Sequence, residues 1–149
     1  MASGNPLIDQ GVLNRVKGTV VWADFPVLNV TAPFLDREGI NFRVTGEASA
    51  QLPTLTGIVQ SPECFLPCSV VLALLKTQSL AEQYKIQLEN YCLLGQGTVY
   101  PDIAVNGITS FQLQNMSIQG VGDMLFNGTT PIFAVTCSGF YVCNNALFN

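Results

Sequence analysis

Five cysteines, Cys64, Cys68, Cys92, Cys137 and Cys143, are the side chains of this 149-residue sequence best suited to chemistry, and the sequence contains no histidine. A cysteine nucleophile needs a base to hold it as thiolate, and the commonest base is missing. Zinc fares no better. Cys64 and Cys68 have the spacing of half a tetrahedral site, but no second close pair and no imidazole completes four ligands. Carboxylates do not pair at a spacing useful for acid–base work. Gly95-Gln96-Gly97 and Gly120-Val121-Gly122 lack the spacing and the lysine of a phosphate-binding loop, and Gly120 to Gly128 does not open a helix as a dinucleotide fingerprint must. The sequence therefore predicts no catalytic residue, no cofactor and no metal. The thiols are left with burial as small hydrophobes, or with a disulfide inside or between subunits. Cys64 falls within, and Cys68 directly after, a proline-bounded connection, Pro62 to Pro67, and they are the candidate inter-subunit or disulfide positions. Cys137 falls within a strand and should be buried and inert.

The elements that would position these residues are mostly strands. Residues 1–17 show no sustained period, contain Gly4, Pro6 and Gly11, and read as an arm. Two β-branched or aromatic runs, 19–23 and 27–31, are separated by Asp24-Phe25-Pro26 and fit two strands or one bent strand. Ile40 to Val44 alternates apolar and polar as a half-buried strand does. Residues 46–56 are an extended loop or hairpin, followed by a short strand near Ile58. The continuous apolar run 69–76 suggests a central strand covered on both faces. Ser79-Leu80-Ala81-Glu82 then matches a capping box, and Leu80, Tyr84, Leu88 and Tyr91 continue at helical spacing, which predicts an amphipathic helix over 79–92. Between Leu113 and Met116 the apolar positions change parity, which predicts a β-bulge and a curved sheet. A long strand spans 132–142, and 146–149 forms an apolar tail. The fold class expected is mainly β with one flanking α-helix and two packed or orthogonal sheets, in a single domain 1–149.

Charge narrows the function classes. Charged residues are 11% of the chain, against about 25% in an ordinary soluble domain, and the net charge is −4. Binding that relies on neutralising phosphates is disfavoured. The longest nearly apolar run, 68–75, falls far short of the roughly 20 residues of a spanning helix, so this chain is not expected to insert in a membrane. The N-terminus has neither the basic nor the apolar region of a secretory signal, which predicts synthesis in a cytoplasm. All six cations (Arg15, Lys17, Arg37, Arg43, Lys76 and Lys85) precede residue 86, and the rest carries only Glu89, Asp102 and Asp123. A β-rich stretch so poor in charge predicts coverage by other protein, against the alternative of a monomer with a neutral polar surface.

Four stretches carry a resemblance: Asn5-Pro6-Leu7-Ile8-Asp9-Gln10-Gly11-Val12-Leu13-Asn14-Arg15, Leu28-Asn29-Val30-Thr31-Ala32-Pro33, Leu74-Leu75-Lys76-Thr77-Gln78-Ser79-Leu80-Ala81, and Gly139-Phe140-Tyr141-Val142. With the order of elements, they resemble the tail tube proteins of contractile-tailed bacteriophages. The resemblance implies a structural virion protein of the tail, made in the host cytoplasm. Its homohexameric rings would close strands into a continuous inner β-barrel and stack into a tube that conducts DNA into the host during ejection, with no specific binding of DNA. Tail sheath, baseplate and tail terminator proteins would be its partners. The arm 1–17, the loop 46–56 and the tail 146–149 would bridge subunits, and Asp102 and Asp123 are candidate lumen residues. The five cysteines are no part of that pattern. Two other readings stand beside it: a tail terminator or tube initiator ring, and a monomeric small-ligand-binding β-barrel.

Overall fold

The computed structural model describes residues 10–102 and 107–148. The first nine positions of the arm 1–17 and residue 149 of the tail 146–149 lie outside the described residues. The protein is mainly β, with one main helix, a curled six-stranded half-barrel sheet and a second, small sheet. In chain order the strands are β1 (Thr19–Trp22), β2 (Leu35–Val44), β3 (Ser49–Pro53), β4 (Ile58–Pro62), β5 (Phe65–Leu75), β6 (Leu93–Tyr100), β7 (Phe111–Val121) and β8 (Ile132–Val142). The helix α1 (Ser79–Asn90) joins β5 to β6, and a single turn, α2 (Asn145–Phe148), follows β8. The large sheet is antiparallel in the order β1-β6-β7-β8-β5-β2, and β3 pairs with β4 alone.

One face of the large sheet is the core. Leu66, Cys68, Val70, Leu72 and Leu74 of β5 are buried at every second position, as are Phe133, Val135 and Cys137 of β8. That face is concave. Phe42 on the edge strand β2 lies 4.8 Å, ring to ring, from Phe111 on β7, although β5 and β8 separate the two strands. In a flat sheet three strand spacings would hold them about 14 Å apart. Tyr141 completes the cluster at 5.9 Å from Phe111 and 6.4 Å from Phe42.

The curl has a local cause at the expected bulge. Asn115 has φ 51°, and the β7–β8 register shifts between Gln114 and Ser117. Leu113 and Met116 thereby both face the core, from positions of opposite parity. Opposite the bulge, Gly139 leaves room for the carbonyls of Gln114 and Asn115.

α1 buries Leu80, Ala81 and Tyr84 against this core, with Leu88 packed at its margin. The Tyr84 hydroxyl donates to the Leu28 carbonyl at 2.7 Å and accepts from Trp22 Nε1 at 2.8 Å. One side chain thus ties the helix to β1 and to the short 3-10 helix Pro26–Leu28. Burial pushes the Tyr84 hydroxyl well above its ordinary pKa, against the opposing pull of the Trp22 hydrogen bond, so it remains a donor. Tyr84→Phe keeps the ring but leaves a buried N–H and a buried carbonyl without partners. It is expected to lower stability by about 2 kcal/mol in urea unfolding, and an unchanged midpoint would refute the bridging role.

Five local expectations need correction. The run 27–31 is neither a second strand nor the continuation of a bent one: Pro26 closes Pro26–Leu28 into a 3-10 turn, and only Val30 bridges back to Val20. The capping box does not form: α1 starts at Ser79, but the extended cap residue is Gln78 and no side chain caps the helix, while Glu82 turns toward Lys85. The helix ends at Asn90 rather than 92. Tyr91 is extended (φ −165°) and exposed, and the chain re-enters the sheet at Leu93. β5 is not covered equally on both faces, because Ser69 and Val71 opposite the core face are only half-buried. It also begins earlier than expected and includes Pro67 and Cys68. The bond from Cys143 N–H to the Cys64 carbonyl sets the alternation along β5, so residue 67 faces away from β8, toward Thr45, whose N–H donates to the Pro67 carbonyl at 2.9 Å; proline cannot return the second bond of that pair, and β2 ends at Val44.

Candidate functional site

The most prominent surface is the β3–β4 hairpin. Its turn is closed by Thr54 N–H to the Gly57 carbonyl at 2.7 Å, and the Thr54 hydroxyl donates to the same oxygen. Register places Leu52 opposite Val59 on one face and Pro53 opposite Ile58 on the other. Leu52, Leu55, Ile58 and Val59 are all exposed, and every residue from 49 to 61 is exposed. A two-stranded hairpin has little stability of its own in water, and this one has apolar side chains on both faces with no core behind either. From Ala48 to Pro62 the chain contains no charge.

Side-chain and backbone bonds fix the root of the hairpin. Glu63 N–H donates to the Ala48 carbonyl at 2.8 Å, and the Asn144 amide donates to both the Ala48 and Glu63 carbonyls at 3.0 and 2.7 Å. Asn144 has φ 54°, in the left-handed region, which turns the chain from β8 into α2 at this point. The base of the hairpin and the C-terminal turn therefore share one anchor.

A second feature is a groove of about 970 Å³ between the segment entering β1, the edge strand β2 and the end of β6. Arg15, Lys17 and Arg37 line it together with Asp36, Glu38 and Asp102. Half of the six cations are gathered here, at the open side of the half-barrel. Lys85 lies on the exposed face of α1, 3.2 Å from Glu89 and 3.9 Å from Glu82, which raises its pKa through the Glu89 bond first. Lys76 bonds the Leu125 carbonyl and sits over the Phe126 ring.

The candidate site residues do not form one cluster. Asp102 follows β6 and Asp123 follows β7, so they stand at opposite ends of β7, an 11-residue strand about 36 Å long. Both are exposed. Cys64 is half-buried between β4 and β5, whereas Cys68 lies inside β5 and is buried, not in a connection as its prolines suggest. Burial raises the Cys68 thiol, with a Gly139 backbone hydrogen bond acting in the opposite sense, and burial pushes Cys137 up to about 12. Neither thiol is a nucleophile at neutral pH. Among the described residues no group of three or more metal-ligating side chains is found, and no helix is long and apolar enough to cross a membrane. The structure does bring together Cys64 and Cys143, a pair that sequence spacing could not reveal because 78 residues lie between them. The hairpin surface had a sequence signal, the charge-free stretch between Glu47 and Glu63, but its apolar members follow no single period. No family model matches this sequence, and no curated protein matches it.

Proposed function

We propose that this chain is a structural subunit whose hexameric rings stack into the inner tube of a contractile phage tail, conducting DNA without binding it specifically. The observation that carries the reading is the uncharged β3–β4 hairpin, apolar on both faces and rooted by Asn144 beside the C-terminal turn. A hairpin of that kind is stable when a neighbouring subunit covers it. The curled sheet supports the same reading, since its edge strand β2, with the segment entering β1 and the end of β6, lines an open groove that ring closure would occupy. A cation-free chain after Lys85 suits a lining along which a polyanion slides, because each lysine on such a bore would act as a phosphate anchor. In this reading the arm 1–17, the hairpin region 46–56 and the tail 146–149 bridge subunits, Asp102 and Asp123 are candidates for the lumen, and sheath, baseplate and terminator proteins contact the assembled tube.

Size-exclusion chromatography followed by negative-stain microscopy of the purified chain tests this. Long hollow tubes are the expected result. Isolated rings that do not polymerise would replace the tube by a terminator or initiator ring. A monomer would replace it by a ligand-binding half-barrel whose site is the charged groove.

A further inference from the structure

We propose that Cys64 and Cys143 form a reversible intrachain disulfide that locks the root of the β3–β4 hairpin to the end of β8. Phe65 and Val142 are register partners, so Cys64 and Cys143 are the next pair along the same ladder. Cys143 N–H donates to the Cys64 carbonyl at 2.9 Å, one of the two bonds of a hydrogen-bonded antiparallel pair, while the Cys64 N–H donates instead to the Glu63 carboxylate at 3.0 Å. Residues so placed have Cα atoms about 5.5 Å apart, inside the Cα span of a disulfide, and side chains on the same face, with Cβ atoms that must close by about 1 Å for the bond to form. The Cys143 thiol already lies 2.9 Å from the Glu63 carbonyl, one residue from Cys64. Both thiols are half-buried and so open to a small reagent.

The other combinations fail on geometry. Cys68 is the partner of Gly139 and Cys137 that of Val70, so Cys68 and Cys137 are diagonal neighbours about 7–8 Å apart at Cα, beyond the bridging distance. Cys92 accepts from Ile118, which in turn pairs with Cys137, so two strand spacings, about 9.6 Å, separate Cys92 from Cys137. One bond per chain follows, leaving Cys68, Cys92 and Cys137 as thiols.

The oxidant is a small-molecule disulfide such as oxidised glutathione. The thiolate of one cysteine attacks it, forming a mixed disulfide and releasing one glutathione thiolate. The thiolate of the other cysteine then attacks the protein sulfur and releases the second. One S–S bond is consumed and one is formed, two protein thiols are oxidised by two electrons, and two molecules of reduced glutathione leave. In a reducing cytoplasm the bond stays open, and outside it the bond closes. Its effect is to join the residue before β5 to the residue after β8, so that hairpin root and C-terminal turn move as one body. The inference rests on strand register within one chain and holds whether or not the chain forms tubes.

The test is to incubate the purified chain with oxidised glutathione at mildly alkaline pH, block remaining thiols and map peptides by mass. Exposed Cys92 serves as the internal control that the reagent is active. The expected result is a Cys64–Cys143 linked peptide, a fall from five free thiols to three after Cys92 is deglutathionylated with a selective glutaredoxin, and a thermal midpoint raised by about 5–15 °C. Cys64→Ser and Cys143→Ser should each abolish both the linked peptide and the thermal shift. Glutathione on Cys92 with Cys64 and Cys143 still free, a bond to any other cysteine, or a Cys64-linked dimer on a non-reducing gel would each overturn the proposal.

Discussion

Gly139→Ala is expected to destabilise the fold by about 3 kcal/mol, a large part of the stability of an ordinary domain. A Cβ at this position would stand 2.5 Å from Met116 Sδ, 2.6 Å from the Gln114 carbonyl oxygen and 3.0 Å from that of Asn115. Methionine can swing aside. The two carbonyls cannot, because they belong to the bulge that holds Asn115 at φ 51° and carries the register shift between Gln114 and Ser117. Relief would mean unmaking the bulge, and with it the placing of both Leu113 and Met116 in the core. Gly120→Ala is the control, since nothing lies within 4 Å of a Cβ there and its φ is ordinary. It should stay within about 0.5 kcal/mol of the parent. Urea unfolding of both variants decides the matter, with a thermal shift of about 6–12 °C for Gly139→Ala at a chain length near 150. Equal midpoints for the two would show that the bulge is not the fixed point of the sheet.

Leu55→Asp combined with Val59→Asp is expected to leave the fold within about 0.5 kcal/mol of the parent, because both positions are exposed in the single chain. The same change should raise the protein concentration required for tube formation by more than about 100-fold. Truncating one buried anchor of an interface commonly costs 2 kcal/mol or more, and a carboxylate at such a point adds the cost of an unpaired buried charge. Sedimentation and microscopy across a concentration series measure the threshold, and urea unfolding confirms the fold. A double variant that assembles at the parent's concentration would show that the hairpin is not an assembly surface, and the tube reading would lose the observation it rests on.

Much of this architecture was legible where residues of one face follow one another without interruption. β8 was found at its full extent because Phe133, Val135 and Cys137 alternate cleanly, and the bulge was legible as a change of parity at Leu113 and Met116. The start of α1 at Ser79 was legible too, although not its cap. What was hidden depends on partners distant in the chain. Pro67 argues against a strand until it is known that it sits at the end of the β2–β5 ladder, where its carbonyl still accepts from Thr45 and only one bond is lost. β2 continues back to Leu35 through Gly39, whose φ of 64° and accompanying register shift break the alternation read at Ile40 to Val44. Leu52, Leu55, Ile58 and Val59 are apolar, and apolar residues say only that something should cover them; composition cannot say that their own chain does not. The meeting of Cys64 and Cys143 required the pairing of β5 with β8, which local sequence does not encode.

The strand order has a consequence for how the chain reaches this state. Within its own half of the sequence β1 makes a single bridge, Val20 to Val30, and its partner strand comes much later: Thr19 meets Tyr100 and Trp22 meets Gly97. β5, the most apolar strand, pairs with β2 early but waits for β8, with Phe65 matched to Val142 and Leu75 to Ile132. While the chain is being synthesised, the outer edge of Val70 to Leu75 stays bare until residues beyond 132 are made. Sheets built from such distant pairings fold in milliseconds to seconds rather than microseconds, and the open edge is the part most prone to stick to another nascent chain. Chains cut short anywhere between α1 and β8 would carry that edge permanently. Residues 132–142 therefore decide whether the strands made before them fold or aggregate.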